Sequence, residues 1–211
     1  MSSATSPSIG VILCSSRQPR VCPQIAAFVI QTFEQWTSSL SAESNSSPPA
    51  TLHLIDLAAW NLPLFDEPNI PSQITSHTDY SHTHTRAWSL EIQKYSAFIF
   101  ILPQYNWGYP AVIKNAIDYL FNEWRGKPAM IVSYGGHGGE KAAGQLRQVL
   151  QGVRMSVAKT MPALSFPSRE TLGHATRGEP LGLLGEAGIW DLEREEVCKA
   201  FEELMASVSL T

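Results

Sequence analysis

The chain has 211 residues, 44% of them apolar and 16% charged, which fits one globular domain, residues 1–211, and excludes a disordered tail. Its net charge of −4 gives no long-range attraction to nucleic acid or to an anionic membrane surface, so we expect neither partner. The three cysteines form no paired framework and the chain begins with a polar stretch, so we expect a cytoplasmic protein without disulfides.

The first predicted unit is a strand, a loop and a helix. An apolar run over residues 9–14 ends at a short polar stretch, and apolar residues then recur at helical spacing between Ile25 and Phe33. Residues 37–49 are rich in serine, include two prolines and show no periodicity, so we expect a surface insertion there. Apolar residues resume at 52–57, which predicts a second strand.

The middle of the chain alternates between a proline-rich segment and strongly apolar runs. Residues 58–76 contain three prolines among aromatic and aliphatic residues, and we expect a semi-ordered, non-helical loop. A helix is predicted over residues 80–95. The following run at 97–102 has no polar alternation, which is typical of a strand buried on both faces in a parallel sheet.

The second half of the chain repeats the same order of strand, loop and helix. Pro110 stands at a first-turn position, and apolar residues follow on one helical face as far as Trp124. Beyond it we predict a strand at 129–133, a helix at 142–150 and a fifth strand within 153–164. We further expect an irregular segment at 166–188 and a final amphipathic helix at 191–208. This alternation predicts a doubly wound parallel α/β sheet.

Ligands of such sheets bind at the carboxyl ends of the strands, so the loops at this edge carry the functional prediction. The first loop places Ser15, Arg17 and Arg20 in front of a helix N-terminus, where backbone N–H groups, the helix dipole and guanidinium groups favour a phosphate. The alternative is that both arginines are solvated surface charges. Because neither a dinucleotide nor a triphosphate glycine motif occurs here, a mononucleotide is the better fit.

The second loop, residues 103–110, combines aromatic and amide side chains at a strand end, namely Gln104, Tyr105, Asn106, Trp107 and Tyr109. Aromatic groups in this position can line a site for a flat ring system, or they can form an edge that packs against a second subunit. The third loop contains Gly135, Gly136, Gly138 and Gly139, which would let the backbone approach a ligand closely. We interpret His137, between them, as an ordinary surface imidazole.

At these three loops the sequence resembles the NADPH-dependent FMN reductases, a family that includes quinone and azo-dye reductases. The family motif G-S-x-R-x-x-S corresponds to residues 14–20, where Ser15 and Arg17 match, and Cys14 and Arg20 replace a glycine and a serine. The motif P-E-Y-N-x-x-x-P-x-x-L-K-N-A-I-D corresponds to residues 103–118, with glutamine at position 104. The motif S-x-G-x-x-G-G corresponds to residues 133–139.

The resemblance implies a flavodoxin-like, five-stranded parallel sheet with helices on both faces, FMN as cofactor and NAD(P)H as co-substrate. It also implies a ping-pong cycle that passes hydride to a quinone, a free flavin or an azo compound, with the chemistry at flavin N5 and no metal or catalytic side chain. The residues that it assigns to cofactor binding are Ser15, Arg17, Arg20, Pro103, Gln104, Tyr105, Asn106, Trp107, Ser133, Gly135, Gly136, Gly138 and Gly139. Family members are typically homodimers, so Trp107, Tyr109 and residues 60–65 are expected to face a partner chain; a tetramer is left open.

Two other functions remain open from the residues alone. The spacing Cys14-x5-Arg20 is that of cysteine-dependent phosphatases, in which Cys14 would be a thiolate nucleophile. A flavodoxin-like electron carrier or binding module would share the fold and the FMN without rapid turnover of NAD(P)H. Hydrolysis of an aryl phosphate would support the first alternative, and absence of NAD(P)H oxidation by flavin-loaded protein the second.

Overall fold

The computed structural model describes residues 6–44, 50–184 and 188–210. In these ranges the strands are β1 (Ser8–Leu13), β2 (Thr51–Asp56), β3 (Ala97–Pro103), β4 (Pro128–Gly135), β5 (Ser156–Val157) and β6 (Ala163–Ser165). The α-helices are α1 (Cys22–Ser44), α2 (Leu57–Trp60), α3 (Thr83–Gln93), α4 (Ala111–Asp118), α5 (Glu140–Gly152), α6 (Arg169–Arg177) and α7 (Glu193–Val208). Strands and helices therefore alternate along most of the chain.

The strands form a single parallel sheet in the order β2-β1-β3-β4-β5. This is the flavodoxin order, in which the strand order reverses beside β1. The predicted fifth strand is divided into two short strands, because β5 pairs with the start of β4 and β6 pairs with its end. The register pairs Leu13 with Ile101 and Pro103 with Tyr134, so β1, β3 and β4 end at the same edge of the sheet.

Helices cover both faces of the sheet, as predicted. On one face α1 and α7 pack with Phe28 and Phe201 fully buried, and on the other α3, α4 and α5 surround the buried Trp88 and Trp124. All seven residues of β3 are buried, which explains its lack of polar alternation.

No helix in the ranges given above is long and apolar enough to cross a membrane.

The predicted insertion at residues 37–49 is wrong in its first part, because α1 continues to Ser44. Serine and threonine are accommodated in this helix since their hydroxyl groups donate hydrogen bonds back to carbonyls one turn earlier. Thr37 and Ser38 both donate to the carbonyl of Glu34, at 3.0 and 2.8 Å. Residues 45–49, the rest of the predicted insertion, lie outside the described ranges.

The prediction of an irregular segment at 166–188 is also wrong, because this segment contains α6. Ser168 caps the start of α6 by accepting a hydrogen bond from the backbone of Thr171, and Gly178 ends it with a φ of 72°. Residues 185–187 of the predicted segment lie outside the described ranges.

Other predicted boundaries also differ from the structure. The predicted non-helical loop at 58–76 is wrong at its start, where Asp56 accepts a hydrogen bond from Ala58 and begins the short helix α2. The helix after Pro110 ends at Asp118, although its apolar pattern continues to Trp124. Trp124 is buried in the turns that follow, where its side chain completes the same hydrophobic cluster.

Candidate functional site

A cavity of about 470 Å³ opens at the carboxyl edge of the sheet, where the three predicted loops meet. Its volume lies in the range of small-molecule sites. The predicted site residues that line it are Ser15, Arg17, Arg20, Pro103, Gln104, Tyr105, Asn106, Gly135 and Gly136. The other lining residues are Val21, Tyr134, Phe166, Leu172, Ala175 and Thr176. The fold therefore brings the first and second loops and the start of the third loop to one place.

The first loop lies directly before α1 and contacts the second loop. Ser15 is fully buried, and its hydroxyl group is 2.6 Å from that of Tyr105, which joins the two loops. Val21 lines the cavity and α1 begins at the next residue. The N-terminal end of α1, with its positive dipole, is therefore next to the cavity.

Arg17 and Arg20, which were predicted as a pair, have different partners. The guanidinium group of Arg20 donates to both carboxylate oxygens of Asp56, one of them at 2.8 Å, and to the carbonyl of Ser15. These hydrogen bonds lower the pKa of Asp56 and raise that of Arg20. Arg17 instead donates to the carbonyl oxygens of Ala175 and Thr176 in α6, at 3.1 and 3.0 Å.

The second loop is built on a two-residue turn. Tyr105 and Gly108 exchange backbone hydrogen bonds of 2.9 and 3.0 Å, and both residues between them have positive φ angles, 46° at Asn106 and 67° at Trp107. Such a turn has the type I′ geometry of tight hairpins. Asn106 faces the cavity, whereas Trp107 is 65% exposed and lies outside the cavity lining.

The glycines of the third loop divide into two groups. Gly135 and Gly136 line the cavity. Gly138 and Gly139 are buried below it, with φ angles of 75° and 86°, and an added Cβ at Gly139 would lie 3.1 Å from the backbone of Tyr134. The buried hydroxyl group of Ser133 donates to the carbonyl of Gly138 at 2.8 Å. Ser133, Gly138 and Gly139 thus shape the loop without lining the cavity.

Six lining residues were missed by the sequence reasoning, and three of them belong to α6. These three residues follow helical spacing, and together with the caps at Ser168 and Gly178 they could have indicated a helix. Tyr134 was overlooked because it stands at an unspecified position of the third-loop motif, directly after the predicted strand 129–133. Burial raises the pKa of its phenol, so Tyr134 is protonated at neutral pH and can donate a hydrogen bond.

The environment of Cys14 does not favour a nucleophilic thiolate. Its side chain is fully buried, it is absent from the cavity lining, and burial raises the pKa of its thiol well above the ordinary value. Arg20, the arginine of the phosphatase spacing, is paired with Asp56. The structure thus leaves the phosphatase alternative without its nucleophile at the cavity, and with an arginine that lines the cavity but is already bound to a carboxylate.

Comparison with known proteins gives consistent matches over most of the chain. Residues 7–167 match the family model of NADPH-dependent FMN reductases. The chain is 45% identical over 170 residues to NAD(P)H-dependent FMN reductase LOT6 of Saccharomyces cerevisiae, covering 78% of this chain and 86% of the yeast protein. It is 29% identical over 160 residues to a quinone reductase of Pseudomonas putida, covering 72% and 79% of the two chains. FerB, a flavoenzyme NAD(P)H:(acceptor) oxidoreductase from Paracoccus denitrificans, superimposes with a TM-score of 0.62 at 18% identity, covering 97% and 98%.

Proposed function

Because the chain belongs to the NADPH-dependent FMN reductase family, with FMN as cofactor and NAD(P)H as co-substrate, we propose that it reduces quinones, free flavins or azo compounds by a ping-pong cycle. When bound, FMN supplies a ring that accepts hydride and passes it on. The protein contributes binding, orientation and electrostatic stabilisation.

The residues at the cavity fit the two chemically different ends of FMN. Ser15, Arg17 and the N-terminal end of α1 offer hydrogen-bond donors and positive charge for the phosphate. Farther along the cavity, Tyr105 and Phe166 offer aromatic surface, and Gly136 exposes backbone without a side chain in the way. A flat ring with polar edges would be held between them.

One observation carries the proposed cycle: all three loops line the same cavity of about 470 Å³. Since donor and acceptor would both have to reach the ring there, we infer that they bind in turn. None of the residues that line the cavity is an aspartate, glutamate, histidine or cysteine. This lining suits hydride transfer, which requires no acidic or basic side chain to begin.

Steady-state kinetics of the FMN-loaded protein test this cycle. With NADPH and menadione varied together, we expect parallel double-reciprocal lines, and NADPH alone should bleach the flavin under anaerobic conditions. Intersecting lines would show that donor and acceptor bind together and would refute the ping-pong order. Flavin-loaded protein that fails to oxidise NADPH with any acceptor would support the electron carrier instead.

We also propose that the protein is a homodimer whose interface lies beside the cavity. Leu64 is 85% exposed and Ile70 60% exposed, and both belong to the proline-rich segment near the second loop. This segment is fixed on α4, where Asn115 donates to the carbonyl of Pro63 and accepts from the backbone of Phe65, at 2.7 and 2.8 Å. A firmly held surface with exposed apolar side chains is typical of an interface.

The substitution Leu64→Asp tests the dimer. We expect it to shift the mass measured by light scattering from two chains to one, because a charge would be buried without a partner. The matched control is Leu192→Asp, since Leu192 is 90% exposed at the start of α7, away from the cavity. An unchanged mass in Leu64→Asp, or a monomeric wild type, would contradict the proposed interface; a mass of four chains in the wild type would identify a tetramer.

A further inference from the structure

Helix α6 lies outside the part of the chain that matches the reductase family model, and yet it lines the cavity. The match ends at residue 167, and α6 begins at Arg169. Leu172, Ala175 and Thr176 of this helix are among the cavity-lining residues. This wall of the site is therefore a feature of this chain that the family model does not cover.

Helix α6 contacts both the first and the third loop. At its C-terminal end, Arg17 of the first loop binds the carbonyls of Ala175 and Thr176. Since these carbonyls are at the negative end of the helix dipole, the guanidinium group stabilises α6 in this position. Nearer its start, the Leu172 side chain lies 3.6 Å from the point that a Cβ on Gly136 would occupy.

Leu172 is suitably placed to meet a bound molecule. It lines the cavity and is 37% exposed, so its isobutyl group is not enclosed on all sides by the protein. Phe166 and Ala175 add further apolar surface on the same side. Other lining side chains already have hydrogen-bond partners within the protein. Arg20 donates to Asp56, and the hydroxyl group of Tyr105 is paired with that of Ser15.

We propose that α6 forms the wall against which the electron acceptor packs, and that Leu172 limits the size of the planar acceptor that can enter. This inference rests on the proposed reductase function and specifies its substrate class as apolar, planar aromatic acceptors. Removing the isobutyl group of Leu172 would open the cavity beside Gly136. A change of one methylene in an apolar site alters discrimination by about 10-fold or more, so the loss of a whole side chain should be readily measured.

The decisive measurement is the ratio of kcat/KM for a three-ring anthraquinone to that for 1,4-benzoquinone. We expect Leu172→Ala to raise this ratio about 10-fold and Leu172→Phe to lower it. Leu192→Ala is the control for loss of a leucine elsewhere, and its ratio should equal that of the wild type. Ratios within twofold of the wild type in both Leu172 variants would overturn the inference.

A second measurement does not depend on turnover. A molecule in the cavity that contacts α6 should slow trypsin cleavage after Arg177, which is exposed at the end of this helix. We therefore expect saturating anthraquinone to protect this bond in the FMN-loaded wild type and to protect it less in Leu172→Ala. Equal cleavage with and without the quinone, in wild-type protein that turns it over, would exclude α6 as the wall.

The reductase function and the role of α6 can be refuted separately. If the wild-type holoprotein oxidises NADPH with both quinones and the ratio does not respond to Leu172, only the role of α6 is refuted. If the holoprotein oxidises NADPH with neither quinone, and also not with menadione, a free flavin or an azo dye, the reductase function is refuted, and the proposed acceptor wall with it.

Discussion

At the scale of single residues, the two arginines of the first loop have separate tasks. Arg20 is paired with a carboxylate, and the hydrogen bonds between them favour the charged forms of both groups. Among the described residues, the hydrogen-bond partners of Arg17 are two neutral carbonyls of α6. Because a guanidinium group binds an anion more strongly than a neutral carbonyl, Arg17 is the one that a phosphate can recruit.

Alanine substitutions should distinguish the stabilising role of Arg20 from the binding of the FMN phosphate by Arg17. We expect Arg20→Ala to lower the free energy of unfolding by about 1–3 kcal/mol, since it leaves Asp56 and the Ser15 carbonyl without their donor. Arg17→Ala should instead raise the Kd for FMN about 10-fold or more. Urea denaturation and a flavin fluorescence titration measure the two effects. Equal losses of FMN affinity in both variants, with unchanged stability in Arg20→Ala, would show that Arg20 binds the phosphate after all.

At the scale of elements, the glycines around α5 provide a matched pair. Gly139 precedes the helix with a φ of 86°, and a Cβ there would lie 3.1 Å from backbone atoms of Tyr134. Gly144 lies inside the helix, where a Cβ would meet nothing within 4 Å. We expect Gly139→Ala to destabilise the protein by about 1–3 kcal/mol and Gly144→Ala to stabilise it by about 0.5–1 kcal/mol. Thermal unfolding of both variants measures this, and a stable Gly139→Ala would show that the loop can rearrange.

The elements that the sequence predicted well are those whose signals are local. Strand β3 was predicted from an uninterrupted apolar run, and the third loop from its glycines. Both signals lie within a few neighbouring residues. In the structure all of β3 is buried, and Gly135, Gly138 and Gly139 have positive φ angles. Helix α6 was missed because it is short, most of its residues are polar, and it buries only Ala175. Its position depends on Arg17, about 160 residues earlier in the chain, and on contact with Gly136. Neither interaction leaves a local pattern.

At the scale of the whole molecule, Lys127 makes the free energy of unfolding depend on pH. It precedes β4 at the edge of the sheet opposite the cavity, where its ammonium group donates to the carbonyl of Ile92 at 2.8 Å. Burial lowers its pKa from the ordinary value of 10.5 to about 8, with Glu123 acting in the opposite direction. At this position the unfolded chain therefore binds more protons than the folded protein between these two pKa values, and the contribution of Lys127 to stability rises with pH across that window.

Between pH 7 and pH 10 we expect the free energy of unfolding of the wild type to increase by about 1–2 kcal/mol relative to that of Lys127→Met, after allowance for solvent near a partly exposed group. In both proteins, burial raises the pKa of the Cys14 and Cys22 thiols and of Tyr95, so ionisation of these groups in the unfolded chain lowers stability at alkaline pH. Lys127→Met should be more stable than the wild type at pH 7 and lose this advantage by pH 10. Urea denaturation at pH 7, 8, 9 and 10 measures it, and parallel curves for the two proteins would refute this account.

The tight turn of the second loop also gives the molecule an optical reporter. Of the six tryptophans, all within the described ranges, Trp107 alone is exposed, whereas Trp88, Trp124 and Trp190 are fully buried. In a single chain, a small water-soluble quencher such as acrylamide will therefore reach the indole of Trp107 before the others. Because the second loop is expected to face a partner chain, the fraction of emission that the quencher removes can show, without any added label, whether a second subunit covers this loop.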